Sequence, residues 1–487
     1  MLRDTAPVRS GEQIIAERAR LKPLLALTGA NGFALAALCA VPMLAALAEG
    51  AHTLAAALAP GVLLGLGAGI VTTRAPPVEN SRRVEALVSI ALSFLLAVLF
   101  VLPGFVALGM SPIDAIFEAS SAVTTTGLSV ATDAQDWPFA GHLLRAWTQW
   151  IGGFAFIAAA LALVVGRGVV ARQLGATQGV KAVAEGASTQ TRARQLLGAY
   201  AAVTTASAIG LMLLAERPGD GLLIALAAVS TGGFAPHADS LASVSPAMQA
   251  FTGLCCVAGA LSLGLVWSMG RGDVAQIVRN GEARTFLGML ALVGLLVIAL
   301  EWWRGGMAPG DVAFTVLSGA STAGYSTAPM TSLGNASLLL IIALMLAGGC
   351  VGSTAGGLKV SRAVFLIAMM RLALLRTRTP AKARTTLRVF GRRTEAEEGT
   401  EIAGLTMLYG LSLLALWLIL LATVDAPPLA ALFDAVSALS TVGLSTGVVG
   451  PDLPDFAKLS MTVAMLLGRL EFLALIALVS VSTWRRK

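Results

Sequence analysis

The sequence predicts an all-α integral membrane protein in which four repeats surround a central pore. Two extra N-terminal helices bring the expected total to ten spans and four half-length pore helices. Three observations carry this prediction. The 487 residues are 56% hydrophobic and only 13% charged, whereas soluble domains carry about 25% charged residues. Apolar runs of about 20 residues, the length that crosses a bilayer, recur along the chain. One short glycine motif occurs four times.

The repeated motif reads [S/T]-T-x-G-[apolar or aromatic]-[S/A]. Its copies are TTTGLS at 124–129, STGGFA at 230–235, STAGYS at 321–326 and STVGLS at 440–445. The register extends upstream: Phe117, Leu223, Phe314 and Phe433 lie ten residues before the motif glycines, and Asp114, Asp220, Asp311 and Ala430 lie thirteen before. A single copy would be an ordinary turn. Four copies in one register predict an internal repeat.

The repeats account for most of the chain. Residues 1–23 are expected to form a cytoplasmic N-terminal segment, and residues 24–83 two transmembrane helices. Repeats 1 to 4 are expected at 84–193, 194–283, 284–399 and 400–487. In each repeat a span leads to a pore helix, the motif and a second span. A pore helix of about 12 residues is about 18 Å long, which is half a bilayer.

Small residues recur in the second spans. Gly152-Gly153, Gly259-Ala260, Gly348-Gly349 and Gly468-Arg469 lie 24 to 26 residues after the motif glycines. Because small side chains let helix backbones approach each other, we expect close helix packing at these positions.

The distribution of charge predicts the orientation. Basic residues cluster at 167–194, at 371–393 and in the tail 485–487, although the net charge is only +7. Clusters of this kind follow the positive-inside rule and are not typical of a nucleic-acid site. Asp133, Asp136, Asp239 and Asp452 lie near the motifs. Both termini are therefore expected in the cytoplasm, with the motif loops opening outward.

Enzymatic chemistry finds little support in the sequence. The four cysteines lie in apolar stretches, and the three histidines form no cluster with cysteines or carboxylates. Glu471 is nearly the only catalytic type of residue within a span. We therefore expect no enzyme activity and no bound organic cofactor, although a membrane enzyme and a sensor without flux are the alternatives from other classes.

The motifs supply the candidate cation site. A dehydrated cation needs several oxygens, and glycines with positive φ allow successive carbonyls to point towards one axis. The negative end of each pore-helix dipole would also favour a cation, while the aspartates near the opposite ends would chiefly cap those helices. The candidate filter residues, with potassium as the transported substrate, are Thr125, Thr126, Gly127, Thr231, Gly232, Gly233, Thr322, Ala323, Gly324, Thr441, Val442 and Gly443.

The second span of repeat 3 supplies a candidate gate. Five of the ten residues at 348–357 are glycines, which would interrupt a helix at membrane depth, where irregular backbone must line water or be buried in protein. We expect a flexible loop below the filter, with a packing kink as the alternative. The candidate gating residues are Gly352, Ser353, Thr354, Ala355, Gly356, Gly357, Lys359 and Arg469.

Arg469 has two possible roles in its apolar span. It either faces the pore as a barrier to resting cations or forms a salt bridge to another helix. Glu471 is two residues away and does not share its helix face.

These motifs together resemble the TrkH/KtrB/HKT superfamily of potassium uptake proteins. The segments that carry the resemblance are SSAVTTTGLS at 120–129, WIGGF at 150–154, GGCVGSTAGGLKVSR at 348–362 and GRLE at 468–471. The resemblance covers about residues 24–487. The two N-terminal spans resemble the TrkH branch, whereas the fourth motif is closer to a KtrB-like form.

The resemblance implies four M1-P-M2 repeats with one filter glycine each, a gating loop in the third M2 and an arginine in the fourth. It also implies a homodimer in membrane lipid, with TrkA/KtrA-like nucleotide-binding regulatory subunits on the cytosolic side. The expected function is potassium uptake across the cytoplasmic (inner) membrane. A pore that passes both sodium and potassium is the alternative. In plant relatives a serine at the first filter glycine accompanies sodium permeation, so Gly127 favours potassium.

Overall fold

A computed structural model describes residues 18–74, 82–165, 189–378, 387–393 and 396–484, almost entirely as helices. Residues 1–17 of the predicted N-terminal cytoplasmic segment, residues 167–188 of the first basic cluster, residues 379–386 of the second and the basic tail 485–487 lie outside the described residues.

Three helices precede the repeats: α1 (Leu21–Ala30), α2 (Gly32–Glu49) and α3 (His52–Arg74). Helices α1 and α2 together form one apolar run of 29 residues. The backbones of α2 and α3 lie close together, since a Cβ on Gly32 would lie 2.6 Å from the Gly65 carbonyl oxygen. Small residues thus pair the two N-terminal spans.

The repeats follow one plan. Repeat 1 comprises α4 (Arg83–Ala107), α5 (Pro112–Val123) and α6 (Phe139–Val165). Repeat 2 comprises α7 (Thr189–Leu214), α8 (Pro218–Val229), α9 (Pro246–Ala260) and α10 (Leu263–Gly270), with the short α11 (Ala275–Arg279) behind it. Repeat 3 comprises α12 (Gly281–Arg304), α13 (Pro309–Ser321), α14 (Asn335–Ala347) and α15 (Val360–Arg376). Repeat 4 comprises α16 (Ala396–Thr423), α17 (Pro428–Leu439), α18 (Asp455–Arg469), α19 (Leu473–Val479) and α20 (Val481–Trp484).

Short helices of 12 or 13 residues lie in all four repeats, namely α5, α8, α13 and α17. Each has a proline at its first position, where the fixed φ of proline favours a helix and its missing N–H is not needed. The aspartates predicted near these N-termini lie in the first turns of α5, α8 and α13. The half-length helices thus lie in the register that the sequence predicts.

Several second spans are broken, where the sequence predicts continuous helices in every repeat but the third. Helices α9 and α10 meet at an angle of 112°, and α18 and α19 at 116°. The second break follows from positive φ angles at Glu471 and Phe472, which end the helix. In repeat 3 the residues between α14 and α15 are not helical, as the glycine-rich sequence predicts.

The number of spans differs from the expected count. Six helices in the described part of the chain are long and apolar enough to cross a membrane, or eight if each bent pair forms one span. The predicted ten-span count is not confirmed. In these six helices the most apolar windows are only 17–39% buried, so much of their apolar surface needs lipid. The chain is an integral membrane protein.

A small hairpin departs from the all-α prediction. Strands β1 (Arg388–Val389) and β2 (Arg392–Arg393) pair antiparallel through two residues each. Phe390 and Gly391, in the turn between them, both have positive φ, as a tight hairpin requires. The hairpin lies between α15 and α16, at the end of the predicted third repeat.

The second spans contact the ends of the short helices through glycine. A Cβ on Gly152, Gly259 or Gly468 would overlap the carbonyl oxygen of Val123, Val229 or Leu439, respectively. Each of these carbonyls lies four residues before a motif glycine. The predicted close packing thus occurs at equivalent places in repeats 1, 2 and 4. In repeat 3 the helix has already ended at Ala347, and Gly348 and Gly349 contact the following loop instead.

Candidate functional site

The four motif glycines, which we call the tetrad (Gly127, Gly233, Gly324 and Gly443), form a closed ring. A Cβ added to each of them would overlap a carbonyl oxygen of the next repeat. The oxygens are those of Gly232, Ala323, Val442 and Thr126, in the order of the tetrad. The same Cβ would lie within 3.4 Å of the Cα of the next tetrad glycine. The ring therefore runs through repeats 1, 2, 3 and 4 and closes between repeats 4 and 1.

The backbone around the tetrad has the same conformation in each repeat. The tetrad glycines have φ between +76° and +100°, which glycine adopts without steric cost. The motif threonines Thr125, Thr231, Thr322 and Thr441 also have positive φ, between +50° and +56°. Side chains rarely tolerate this conformation, so the repeated occurrence shows that tertiary contacts impose one shape on four segments.

A cavity of about 450 Å³ lies on one side of the ring. It is lined by all four tetrad glycines and by residues that follow them, including Ser129, Phe234, Ser326 and Ser445. Residues that directly precede the glycines, such as Thr126, Ala323 and Val442, do not line this cavity and are fully buried. The ring thus separates an open cavity from the interior of the protein.

The glycine-rich loop at 348–359 lies on the interior side of the ring. Thr354 Oγ1 donates to the carbonyl oxygens of Val229 at 3.0 Å and Gly259 at 2.9 Å, both in repeat 2. The Gly357 N–H donates to the Ser440 carbonyl of repeat 4 at 3.0 Å. Within repeat 3, the Gly356 N–H donates to Thr322 Oγ1 at 2.8 Å. The loop is therefore bonded directly to the chain that enters three of the four motifs.

Side chains at its two ends hold the loop in place. Ser353 Oγ donates to the Cys350 carbonyl at 2.5 Å, and Lys359 Nζ donates to the Ala355 carbonyl. The Val351 N–H donates to Glu282 Oε1 at 3.0 Å. All of the loop residues from Ser353 to Gly356 are buried. The structure thus brings the predicted gating residues together beneath the tetrad.

Arg469 joins the loop to repeat 1. Its side chain is 1% exposed, and Nη1 donates to the Thr354 carbonyl at 2.7 Å, while Nη2 donates to the Gly152 carbonyl at 3.4 Å. The guanidinium carbon also lies 4.4 Å from the centre of the Phe156 ring, and Lys359 Nζ lies 5.2 Å from it. The sequence left two roles open for Arg469, a barrier in the pore or a salt bridge to another helix. Arg469 forms no salt bridge among the described residues.

Glu471 pairs with a different cation. Its carboxylate lies 2.5 Å from Arg362 Nη2, at the start of α15 just after the loop. Glu471 lies beyond the end of α18 and has φ +51°, so the expectation about helix faces does not apply to it. The buried loop, the side chains of Arg362 and Arg469, and the bend between α18 and α19 are thereby linked in one cluster below the tetrad.

Several buried polar residues beside the ring were missed by the sequence analysis. Glu118 forms an ion pair of 2.5 Å with Arg145, and Asp434 is 0% exposed in α17. Gln149 Nε2 donates to the Gly232 carbonyl at 2.5 Å, and Gln149 Oε1 accepts from the Phe234 N–H at 3.3 Å. The sequence did contain a signal for Glu118 and Asp434, because carboxylates are rare inside apolar helices. Only the structure shows that these two side chains face the motifs.

The aspartates in the first turns of the short helices also have partners. Asp114 lies 2.5 Å from Lys458 Nζ of repeat 4, and the helix cap itself is Ser111, which accepts from the Asp114 N–H. Asp311 accepts from Thr327 Oγ1 at 2.7 Å. These carboxylates therefore connect segments as well as complementing the helix ends.

Comparisons with known proteins agree with this architecture. The family described as "TrkH: Cation transport protein" matches residues 101–269 and 310–484. The Trk system potassium uptake protein TrkH of Halomonas elongata is 30% identical over 403 residues, which cover 78% of this chain and 81% of that protein. Ktr system potassium uptake protein B of Vibrio alginolyticus is 30% identical over 410 residues, covering 78% of this chain and 87% of that protein.

A solved structure shows the same fold. The crystal structure of the potassium transporter TrkH from Vibrio parahaemolyticus matches with a TM-score of 0.84 at 24% identity, covering 96% of this chain and 100% of that chain. The family match extends over more than half of the sequence, in two segments that together contain all four motifs. The chain belongs to the TrkH family of cation transport proteins.

Proposed function

We propose that this protein takes up potassium across the cytoplasmic membrane, through a filter formed by the tetrad and the residues directly before it. The observation that carries the proposal is the closed ring in which each tetrad glycine faces a carbonyl oxygen of the next repeat. Rings of carbonyl oxygens replace the water around a cation. The curated relatives are named potassium uptake proteins, which supports potassium as the substrate.

Two of the four motif threonines supply further oxygens in this proposal. In the described part of the chain, Thr125 Oγ1 and Thr441 Oγ1 are buried without a hydrogen-bond partner. Buried hydroxyls normally have a partner, so a passing cation is the group that would satisfy them. The substrate ion therefore accounts for two polar atoms that the protein leaves open.

The loop beneath the ring acts as the gate in this proposal. In this proposal its hydrogen bonds to Arg469 and to the chain that enters the motifs of repeats 2, 3 and 4 close the passage below the tetrad. Lys359 and Arg469 place two positive charges there, which would repel a cation that rests below the filter. Opening the passage requires the loop to leave these partners, so its glycines have to supply the backbone freedom.

Membrane potential is sufficient to drive uptake. One elementary charge moving inward gains about 2.3 kcal/mol per 100 mV. No ATP chemistry is then required of this subunit. We further propose both termini in the cytoplasm, a homodimer in lipid and a TrkA/KtrA-like nucleotide-binding partner on the cytosolic side. The relatives are named as parts of Trk and Ktr systems, which supports a partner.

A pore that also passes sodium is the second candidate, and one contact favours it. The Gly232 carbonyl already accepts a hydrogen bond from Gln149 Nε2. A carbonyl shared in this way offers a weaker ligand to an ion than its three counterparts, so the ring is less uniform in repeat 2. Uneven oxygens would lower the preference for potassium.

Two experiments test these proposals. Expression in cells that lack potassium uptake should restore growth at low external potassium, and failure to rescue despite normal membrane abundance would contradict potassium uptake. Flux into liposomes with competing sodium then separates the two candidates. The same flux measured with and without a co-expressed cytosolic partner tests regulation, since a partner that gates the loop must change the rate.

A further inference from the structure

Two buried carboxylates occupy equivalent positions behind the ring. Glu118 and Asp434 each lie nine residues before the tetrad glycine of their repeat, and both are 0% exposed. The same position is Ile224 in repeat 2 and Thr315 in repeat 3. Because the ring closes between repeats 4 and 1, the two carboxylates belong to neighbouring repeats.

Asp434 holds the chain that leaves the fourth motif. Its Oδ2 accepts from Ser445 Oγ at 2.6 Å and from the Val449 N–H at 3.0 Å. Its Oδ1 accepts from the Thr446 N–H at 2.8 Å and from Thr446 Oγ1 at 2.9 Å. Ser445 is the second residue after the tetrad glycine. One carboxylate therefore fixes the chain immediately beyond Gly443.

Glu118 does the same in the first repeat. Both of its oxygens accept from Ser129 Oγ at 3.1 Å, and Oε2 accepts from the Val130 N–H at 3.3 Å. Ser129 is again the second residue after its tetrad glycine. Arg145 Nη2 lies 2.5 Å from Glu118 and also donates to Ser129 Oγ at 3.0 Å. The equivalent serines are thus held by equivalent carboxylates.

Repeats 2 and 3 use other contacts. The Tyr325 hydroxyl donates to the Ile224 carbonyl at 3.1 Å and contacts the Phe234 carbonyl at 3.4 Å. Thr327, beyond the third motif, donates to Asp311 instead. In repeat 2 the Phe234 N–H donates to Gln149 Oε1. Among the described residues, only in repeats 1 and 4 does the side chain nine residues before the tetrad glycine accept from the serine two residues after it.

The two carboxylates differ in charge balance. Glu118 is neutralised by Arg145, whereas Asp434 has no basic partner among the described residues. Each Asp434 oxygen accepts two donors, an arrangement that suits an ionised carboxylate, which only accepts. A negative charge behind the ring also attracts a cation within it.

We propose that Asp434 and Glu118 are positioning residues that set how strongly the tetrad prefers potassium over sodium. Each fixes the chain that follows its glycine, while the short helix fixes the chain that precedes it, joined in repeat 4 by the loop. Selectivity by cavity size requires carbonyl oxygens that are held at a fixed spacing. The inference rests on the proposed potassium uptake through this ring.

The test compares potassium and sodium flux into liposomes that contain the purified full chain. In Asp434→Asn an amide nitrogen replaces one oxygen and faces two donors. Hydrogen bonds to charged groups contribute about 1.5–3 kcal/mol, so we expect the potassium-to-sodium ratio to fall at least about tenfold. Asp452→Asn is the matched control, because it removes an exposed carboxylate from the same outer segment and should keep the parent ratio.

A second variant keeps the inference testable if Asp434→Asn does not fold. Ser445→Ala removes one donor to Asp434 and the acceptor of the exposed Gly447 N–H, without burying a new polar group, and the ratio should fall by about threefold. A merely structural role would lower both fluxes equally and leave the ratio unchanged. If the parent protein prefers potassium and Asp434→Asn keeps the parent ratio, this inference is wrong while the proposed function stands. The same holds for Ser445→Ala if Asp434→Asn does not fold. A parent that carries no potassium overturns the proposed function together with this inference.

Discussion

Replacing Gly127 with serine tests the ring at a position where the backbone conformation and the lack of space both exclude a side chain. Gly127 has φ +87°, a left-handed conformation that costs a residue with a Cβ about 1–2 kcal/mol. The new Cβ would also overlap the Gly232 carbonyl oxygen. The variant can relieve both only by moving that oxygen or the Gly127 backbone away from the ring.

The size of the effect follows from this strain. The parent geometry of the ring becomes about 1–2 kcal/mol harder to hold in the variant. Since about 1.4 kcal/mol corresponds to a factor of ten, we expect the potassium-to-sodium flux ratio to fall about 5- to 30-fold. The total flux can remain, because sodium enters as potassium preference is lost.

Flux of each ion into liposomes, measured at equal protein content, supplies the readout. Gly109→Ser is the matched control: Gly109 has φ +95°, and no atom lies within 4 Å of its added Cβ. It imposes the same kind of backbone strain in repeat 1 without touching the ring. An unchanged ratio in Gly127→Ser would refute the filter assignment, and so would an equal fall in Gly109→Ser.

Three further variants address the gate and the packing. Deleting Gly352–Gly357 should raise flux, and a folded deletion protein with parent flux would argue against a gate. Arg469→Gln weakens the hydrogen bond to the Thr354 carbonyl. Because a hydrogen bond to a charged group contributes about 1.5–3 kcal/mol, basal flux without a partner should rise about tenfold. Parent flux at normal abundance would show that Arg469 is not part of the gate. Gly468→Ala should lower the melting temperature in detergent by several degrees, because its Cβ would overlap a main-chain carbonyl. Gly404→Ala, whose Cβ meets nothing within 4 Å, should leave it unchanged, and equal behaviour of the two would contradict the packing argument.

The short helices show how far a one-dimensional pattern reaches. A proline, an acidic residue three positions into the helix and a motif glycine recur at fixed distances, so the length and register of α5, α8 and α13 follow directly from the chain. The fourth copy lacks the aspartate but has the proline and the same length. Local rules for helix starts and turns are sufficient here, because each depends on neighbours in sequence.

The bends within the second spans of repeats 2 and 4 could not be predicted from such a pattern. Residues 246–270 and 455–479 are apolar enough to read as single spans, and composition contains no signal for turns of 112° and 116°. The bend at Glu471 lies beside its ion pair with Arg362 from another repeat. Such a partner is 109 residues away along the chain and cannot be found by reading neighbouring residues.

The sequence by itself determined a membrane protein of four repeats, the positions of the tetrad and the break in the third repeat, because hydrophobic length, glycine and proline act locally. Only the tertiary structure decided which carbonyl faces which glycine, what Arg469 binds and why Glu118 and Asp434 lie behind the ring. Those arrangements depend on closing the four repeats into one circle. Closure brings together groups that are far apart in sequence, and its geometry comes from packing across repeats, which no single segment encodes.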